Sequence, residues 1–140
     1  MLLTPDISRG QVIALPFGQI NVAASQTDVA LIASDPSGNP EYAVCWDGAV
    51  VGLAASVSGA VTAGTLAIAV TLDGTKQTAG TLNFPADSTT LVAALKIARS
   101  AVPVTARRRI GVKITTSGAF LPTTTDLTVV AYVLQRLDGI

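Results

Sequence analysis

No histidine occurs among the 140 residues. The side chain that most often moves protons near neutral pH is therefore missing, and with it most general acid–base chemistry. A single cysteine, Cys45, has no second cysteine with which to form an intrachain disulfide. Without a histidine to activate it, Cys45 makes a poor nucleophile. Its place in the apolar run Tyr42-Ala43-Val44-Cys45-Trp46 predicts a packed strand thiol. Gly-rich phosphate loops are absent. Metal ligands of the nitrogen and sulfur type are too few for a zinc site, which leaves only a carboxylate and carbonyl site for calcium open. The nine acids are scattered singly, and Asp35, Asp47, Asp73 and Asp126 sit at turn positions that explain them. Neither an enzyme nor a cofactor is expected.

Charge is also scarce. Charged residues make up 13% of the chain, about half the usual ~25%, while the hydrophobic fraction is 49%. A domain of this length buries roughly 70% of its unfolded surface and needs no staple. It still has too much surface to hide all of its apolar residues, and large exposed apolar patches mark association sites. A homo-oligomer, a docked partner or both follow as expectations. The net charge of zero gives no bulk attraction to nucleic acid or an anionic membrane.

Only six residues are aromatic: Phe17, Tyr42, Trp46, Phe84, Phe120 and Tyr132. Of these, Phe120 lies in an obvious loop, where it either packs or offers a platform to a sugar. The basic residues cluster. Lys96, Arg99, Arg107, Arg108, Arg109 and Lys113 lie within one stretch, and no acid occurs from Ser88 to Thr125. The Arg107-Arg108-Arg109 triplet has three readings: a charged strand edge that discourages aggregation, a contact with an acidic protein surface or subunit, or a nucleic-acid contact. The last lacks neighbouring aromatics and an overall basic charge.

Residues 1–10 look like an arm, with Met1-Leu2-Leu3, Pro5 and Gly10. The apolar start is too short for a secretory signal core. From residue 11 to residue 140 the pattern is one domain of successive strands. Val12–Leu15 and Gln19–Val22 come first, separated by Pro16-Phe17-Gly18, and Val29–Ile32 follows. Two hairpins are expected around Asp47-Gly48 and Asp73-Gly74, because Asp-Gly supplies the positive φ angles of a type I′ turn. The Thr65–Leu72 strand divides into Leu66, Ile68, Val70 and Leu72 on one face and Thr65, Ala67, Ala69 and Thr71 on the other. Ser88–Ser100 fits a strand or a short helix capped by Ser88, with the strand preferred because Val102-Pro103 ends it among other strands. Ile110–Thr116 and Leu127–Leu134 flank a Thr/Pro loop and suggest a strand pair closing a sheet. The second of these is apolar on both parities and predicts cover on both faces. Gly48–Leu72 is uncharged and long enough to span a bilayer, but its apolar residues alternate and basic flanks are lacking, which argues against a membrane helix. About eight to ten short strands make an all-β, two-sheet antiparallel β-sandwich, with jelly-roll topology the best fit.

Four segments carry a resemblance: Ala49-Val50-Val51-Gly52-Leu53; Thr62–Ile68 with Asp73-Gly74; Ile110–Thr116; and Pro122–Val129. Together they make the chain resemble small jelly-roll structural proteins of tailed bacteriophages, both capsid cement or decoration proteins and receptor-facing modules of tail fibres. The resemblance implies a non-enzymatic virion component on the capsid surface. It implies a homotrimer that binds the major capsid protein and itself, with no nucleic-acid or membrane partner. Met1, Leu2 and Leu3 would be an arm onto a neighbour, and Arg107, Arg108 and Arg109 a docking edge. The alternative is a tail-fibre or baseplate sandwich that binds a host receptor or glycan.

Overall fold

The computed structural model describes residues 10–33 and 39–136; the arm with Met1, Leu2 and Leu3, and the turn residue Asp35, lie outside the described residues. The strands are β1 (Gln11–Gln19), β2 (Val29–Ala30), β3 (Ile32–Ala33), β4 (Glu41–Ala43), β5 (Gly48–Val57), β6 (Leu66–Leu72), β7 (Thr75–Phe84), β8 (Val92–Lys96), β9 (Pro103–Val104), β10 (Arg109–Thr116) and β11 (Leu127–Gln135). They form two antiparallel sheets. The first runs β3-β1-β11-β5-β8, with β9 also on β5; the second runs β2-β10-β6-β7, with β4 also on β10.

The pairing is nested. β1 pairs with β11, β2 and β4 with β10, β5 with β8, and β6 with β7. A long hairpin rolled into two facing sheets has this order, and it defines a jelly roll. Nearly every connection passes from one sheet to the other. Val29–Ile32, expected as one strand, switches sheets at Leu31, which is fully buried and donates its N–H to the Val112 carbonyl.

The two Asp-Gly pairs behave differently. Asp73 and Gly74 have φ of 50° and 83°, the left-handed values of a type I′ turn, and β6 and β7 form the expected hairpin around them. The expectation for Asp47-Gly48 is overturned. Neither residue has a positive φ, and the flanking strands β4 and β5 belong to different sheets. Asp47 instead accepts hydrogen bonds from Ala106 N at 2.7 Å and Arg136 N at 2.8 Å. Gly48 is needed for close approach, since a Cβ there would lie 1.8 Å from the Leu134 carbonyl oxygen.

Pro16-Phe17-Gly18 does not interrupt β1. Pro16 lies opposite Val130, and its carbonyl accepts the Tyr42 hydroxyl at 3.1 Å. A strand residue's nitrogen and carbonyl point the same way, so the missing N–H faces the open edge, where proline is tolerated. The Tyr42 ring packs edge-on against Phe17 at 5.3 Å and ties the second sheet to the first at that edge.

Alternation places Phe17, Leu53, Ala55, Leu66, Ile68, Val112, Ile114, Val129 and Ala131 in one core cluster. Val50, Val70, Leu72, Ile110 and Val133 belong to a second, and Leu15 and Leu95 pack against both. The face division read from Thr65–Leu72 therefore holds. Ser88–Ser100 contributes the strand β8, with Ala93 and Leu95 packed on the core. Gly48–Leu72 becomes β5 and β6 in separate sheets, and among the described residues no helix is long and apolar enough to cross a membrane.

Two further expectations need correction. Cys45 lies past the end of β4 and is exposed, because the chain turns there towards the other sheet. β10 and β11 do not pair with each other; they belong to opposite sheets, and β11 closes the first sheet between β1 and β5.

Candidate association surface

The two outward faces of the sandwich differ in character. Strand alternation turns Glu41, Arg109, Lys113, Thr115, Thr81 and Asn83 outward on the second sheet, around Ala67 and Ala69. This face is polar and internally bonded. Lys113 Nζ donates to the Gly74 carbonyl at 2.9 Å, and Lys76 Nζ meets Asp28 Oδ1 at 2.6 Å. That contact holds the Asp28 carboxyl below the usual carboxylate range.

The outward face of the first sheet is almost free of charge. Cross-strand registers place Pro16, Val130, Ala54 and Ala94 side by side on β1, β11, β5 and β8. The next row holds Ala14, Tyr132, Gly52 and Lys96. The row on the other side holds Ile32, Gly18, Thr128, Ser56 and Val92, and Val12 lies opposite Leu134 at the far end. Val12, Ile32, Val92 and Tyr132 are 53%, 59%, 65% and 38% exposed. Lys96 is the one charge in these rows. Tyr132 is exposed, so among the described residues the cover expected on both faces of β11 is met on its inner face alone.

The basic stretch does not form one patch. Lys96 lies on the first sheet, with Arg99 in the loop after it, whereas Arg109 and Lys113 lie on the second. Arg108 and Arg109 are engaged within the chain. Asp73 Oδ1 accepts Arg109 N at 2.9 Å, its Oδ2 accepts Arg108 Nε at 3.0 Å, and the Arg109 guanidinium reaches Glu41 Oε1 at 3.4 Å. The Arg109 backbone N–H, followed by the Arg108 guanidinium, holds the Asp73 carboxyl below its ordinary value. Sequence distance hid these acids, which arrive from the β6–β7 turn and from β4. Arg107 is exposed and has a left-handed φ of 74°, and no side-chain partner for it is found among the described residues. The triplet thus divides into two internal clamps and one outward cation.

Phe120 is 1% exposed and part of the core, so it offers no platform to a ligand. Trp46 is 40% exposed beside a depression of about 370 Å³ that is also lined by Cys45, Asp47, Ala106 and Arg136. Among the described residues no three His, Cys, Asp or Glu side chains come together as a metal site would require. Sequence reading expected an apolar association surface that included Val130 and Tyr132 of β11. The alternating small residues of β5 were visible, but not that β1, β11 and β8 set their own apolar positions beside them.

The fold and this surface define an all-β, two-sheet sandwich of jelly-roll topology with one apolar outward face. No family model and no curated protein matches the chain. Among solved structures it is similar to the PRD1 vertex protein P5, with a TM-score of 0.47 and 14% identity over 87% of this chain and 96% of that one. It is also similar to a chain from the empty head of turnip yellow mosaic virus, with a TM-score of 0.37 and 16% identity over 97% of this chain and 86% of that one.

Proposed function

We propose that this chain is a non-enzymatic virion structural protein, a cement or decoration protein that binds the major capsid protein lattice on the capsid surface and stabilises the head. The observation that carries the reading is the largely apolar outward face of the β3-β1-β11-β5-β8 sheet, with Lys96 at its β8 edge, set against a polar outward face on the other sheet. A sandwich with one such face functions by being covered. The resemblance of the four sequence segments to phage cement proteins supplies the setting. Contact with the lattice falls to Arg107, whose guanidinium has no side-chain partner among the described residues, and to Met1, Leu2 and Leu3. A shell repeats each contact many times, so modest affinity per site sums to firm retention.

The test is where the protein sits on purified virions. Regular density or label over the head supports the reading, and its absence from any particle overturns it. A position at the tail favours the receptor-binding alternative, for which exposed Trp46 is the one supporting feature. In that case glycan binding would depend on Trp46.

A further inference from the structure

We infer that the depression at the Val12 end of the first sheet, floored by Val12, Val51, Ile97 and Leu134 and flanked by Lys96 and Arg99, receives a segment of a partner protein that carries acidic and apolar side chains together. The inference rests on the reading of this face as one that a partner covers, and it names the chemistry of that partner. It does not depend on the capsid location.

Strand register builds the floor. Val12 lies opposite Leu134. On β5, Gly52 pairs with Tyr132 and Val50 with Val133, so Val51 between them is an extra residue. Such a bulge re-aims a side chain. Val50 and Leu53 are buried in the core, whereas half-buried Val51 lines the depression. Ile97, just past β8, continues the floor and donates its N–H to the Val51 carbonyl at 3.0 Å. The depression holds about 380 Å³, within the ~300–1,000 Å³ of clefts that hold ligands.

Two cations flank this floor. Lys96 stands on β8 opposite Gly52, and Arg99 follows in a turn closed by Ala101 N on the Ala98 carbonyl at 2.9 Å. Both are exposed, and neither has an ion-pair partner among the described residues. By contrast Lys76, Arg108 and Arg109 each meet an acid within the chain. No acidic side chain lines the depression among the described residues.

Floor and rim together select the occupant. A small inorganic anion would leave the apolar floor exposed. A purely apolar segment would cover two cations without pairing them, which desolvation disfavours. A carboxylate beside an apolar side chain answers both. Base stacking is not served, because no aromatic side chain lines the depression among the described residues. Recognition of an anionic bilayer draws on clusters of about four to eight cations, and here there are two on a chain of zero net charge. A second copy of the depression would set Lys96 and Arg99 against their own like charges.

NMR titration of the full chain with short acetylated and amidated peptides tests the inference. One peptide is built of Leu and Glu, one of Leu and Lys, and one of Ser and Glu. Amide shifts of Val12, Val51, Ile97 and Arg99 report occupancy. The Leu–Glu peptide should bind about fivefold or more tightly than either of the others, and its affinity should fall as salt rises. Lys96→Gln combined with Arg99→Gln should weaken it about fivefold or more. Thr78→Glu with Asn83→Glu, at two exposed sites on β7, makes the same change in net charge and should leave it unaltered. Val12→Ser should weaken it about threefold or more by removing part of the floor. Circular dichroism checks that each variant folds, and the Lys96 and Arg99 exchanges, both at exposed sites, carry the test if Val12→Ser does not. Absence of binding up to about 1 mM, equal binding of the Leu–Lys peptide, or an affinity indifferent to loss of both cations overturns the inference. So does binding that requires deletion of residues 1–9, which would assign the depression to the chain's own arm, and so do shifts caused by anionic phospholipid vesicles in place of the peptide. Head occupancy is scored separately. A protein found on heads that takes no peptide would sink the inference and keep the capsid reading. Peptide binding by a protein found on no particle would do the reverse.

Discussion

Tyr132 of β11 lies directly opposite Gly52 of β5, with its ring over the glycine; a Cβ at Gly52 would sit 3.4 Å from Tyr132 Cδ2. The aromatic ring covers backbone that the glycine leaves bare. Tyr132→Ala should therefore lower stability by about 0.5–1 kcal/mol, the worth of a cross-strand pair. Urea unfolding at a concentration where the protein is monomeric separates that loss from any effect on association.

The loop aromatic and the exposed one should part company. Phe120 fills the core from the β10–β11 loop, and Phe120→Ala should cost about 3–5 kcal/mol. Trp46→Ala should change stability by about 0.5 kcal/mol or less, as surface substitutions do. Thermal melts of the two variants report the contrast directly.

The arginine triplet should split functionally. Arg107→Ala should leave stability within about 0.5 kcal/mol of wild type and weaken docking on heads, with less salt sensitivity than the parent. Arg108→Ala should raise the Asp73 carboxyl pKa towards the ordinary range, because it removes one of the two leading hydrogen bonds that depress it. NMR titration of Asp73 and head occupancy across a salt series check the two halves.

Asp87, in the β7–β8 loop, accepts the Thr90 hydroxyl and the backbone N–H groups of Thr89 and Thr90, which lower its carboxyl to about 2. A folded value below the unfolded one contributes stability at pH above about 4, and that contribution is lost as pH falls towards 2. The stability gap between wild type and Asp87→Asn should hold steady above that window and narrow within it. Unfolding free energies across an acid pH series check this, and a gap that stayed constant to about pH 2 would contradict it.

Gly48→Ala should be among the most damaging small changes. Its Cβ would meet the Leu134 carbonyl oxygen at 1.8 Å, so β5 and β11 must separate, at a cost of about 1–3 kcal/mol or more. Denaturant midpoints should fall accordingly, even though glycine-to-alanine changes in strands are ordinarily favourable.

Much of the fold was legible because strand alternation is local. Leu66, Ile68, Val70 and Leu72 announced their shared inner face, and Asp73-Gly74 announced its turn through the φ angles that those two residues adopt cheaply. Asp47-Gly48 carries the same dipeptide and forms no hairpin, since its surroundings are set by Ala106, Leu134 and Arg136, residues far along the chain. The arginine triplet was visible as a charge run, while its counter-ions Glu41 and Asp73 were hidden by sequence distance.

The sequence by itself determined an all-β chain poor in charge and without histidine, because composition and period-2 patterning act residue by residue. Only the tertiary structure decided which apolar positions were left open. Burial depends on which strands become neighbours, and the nested pairing of β1 with β11 and β5 with β8 set Pro16, Val130, Ala54 and Ala94 together on one outward face.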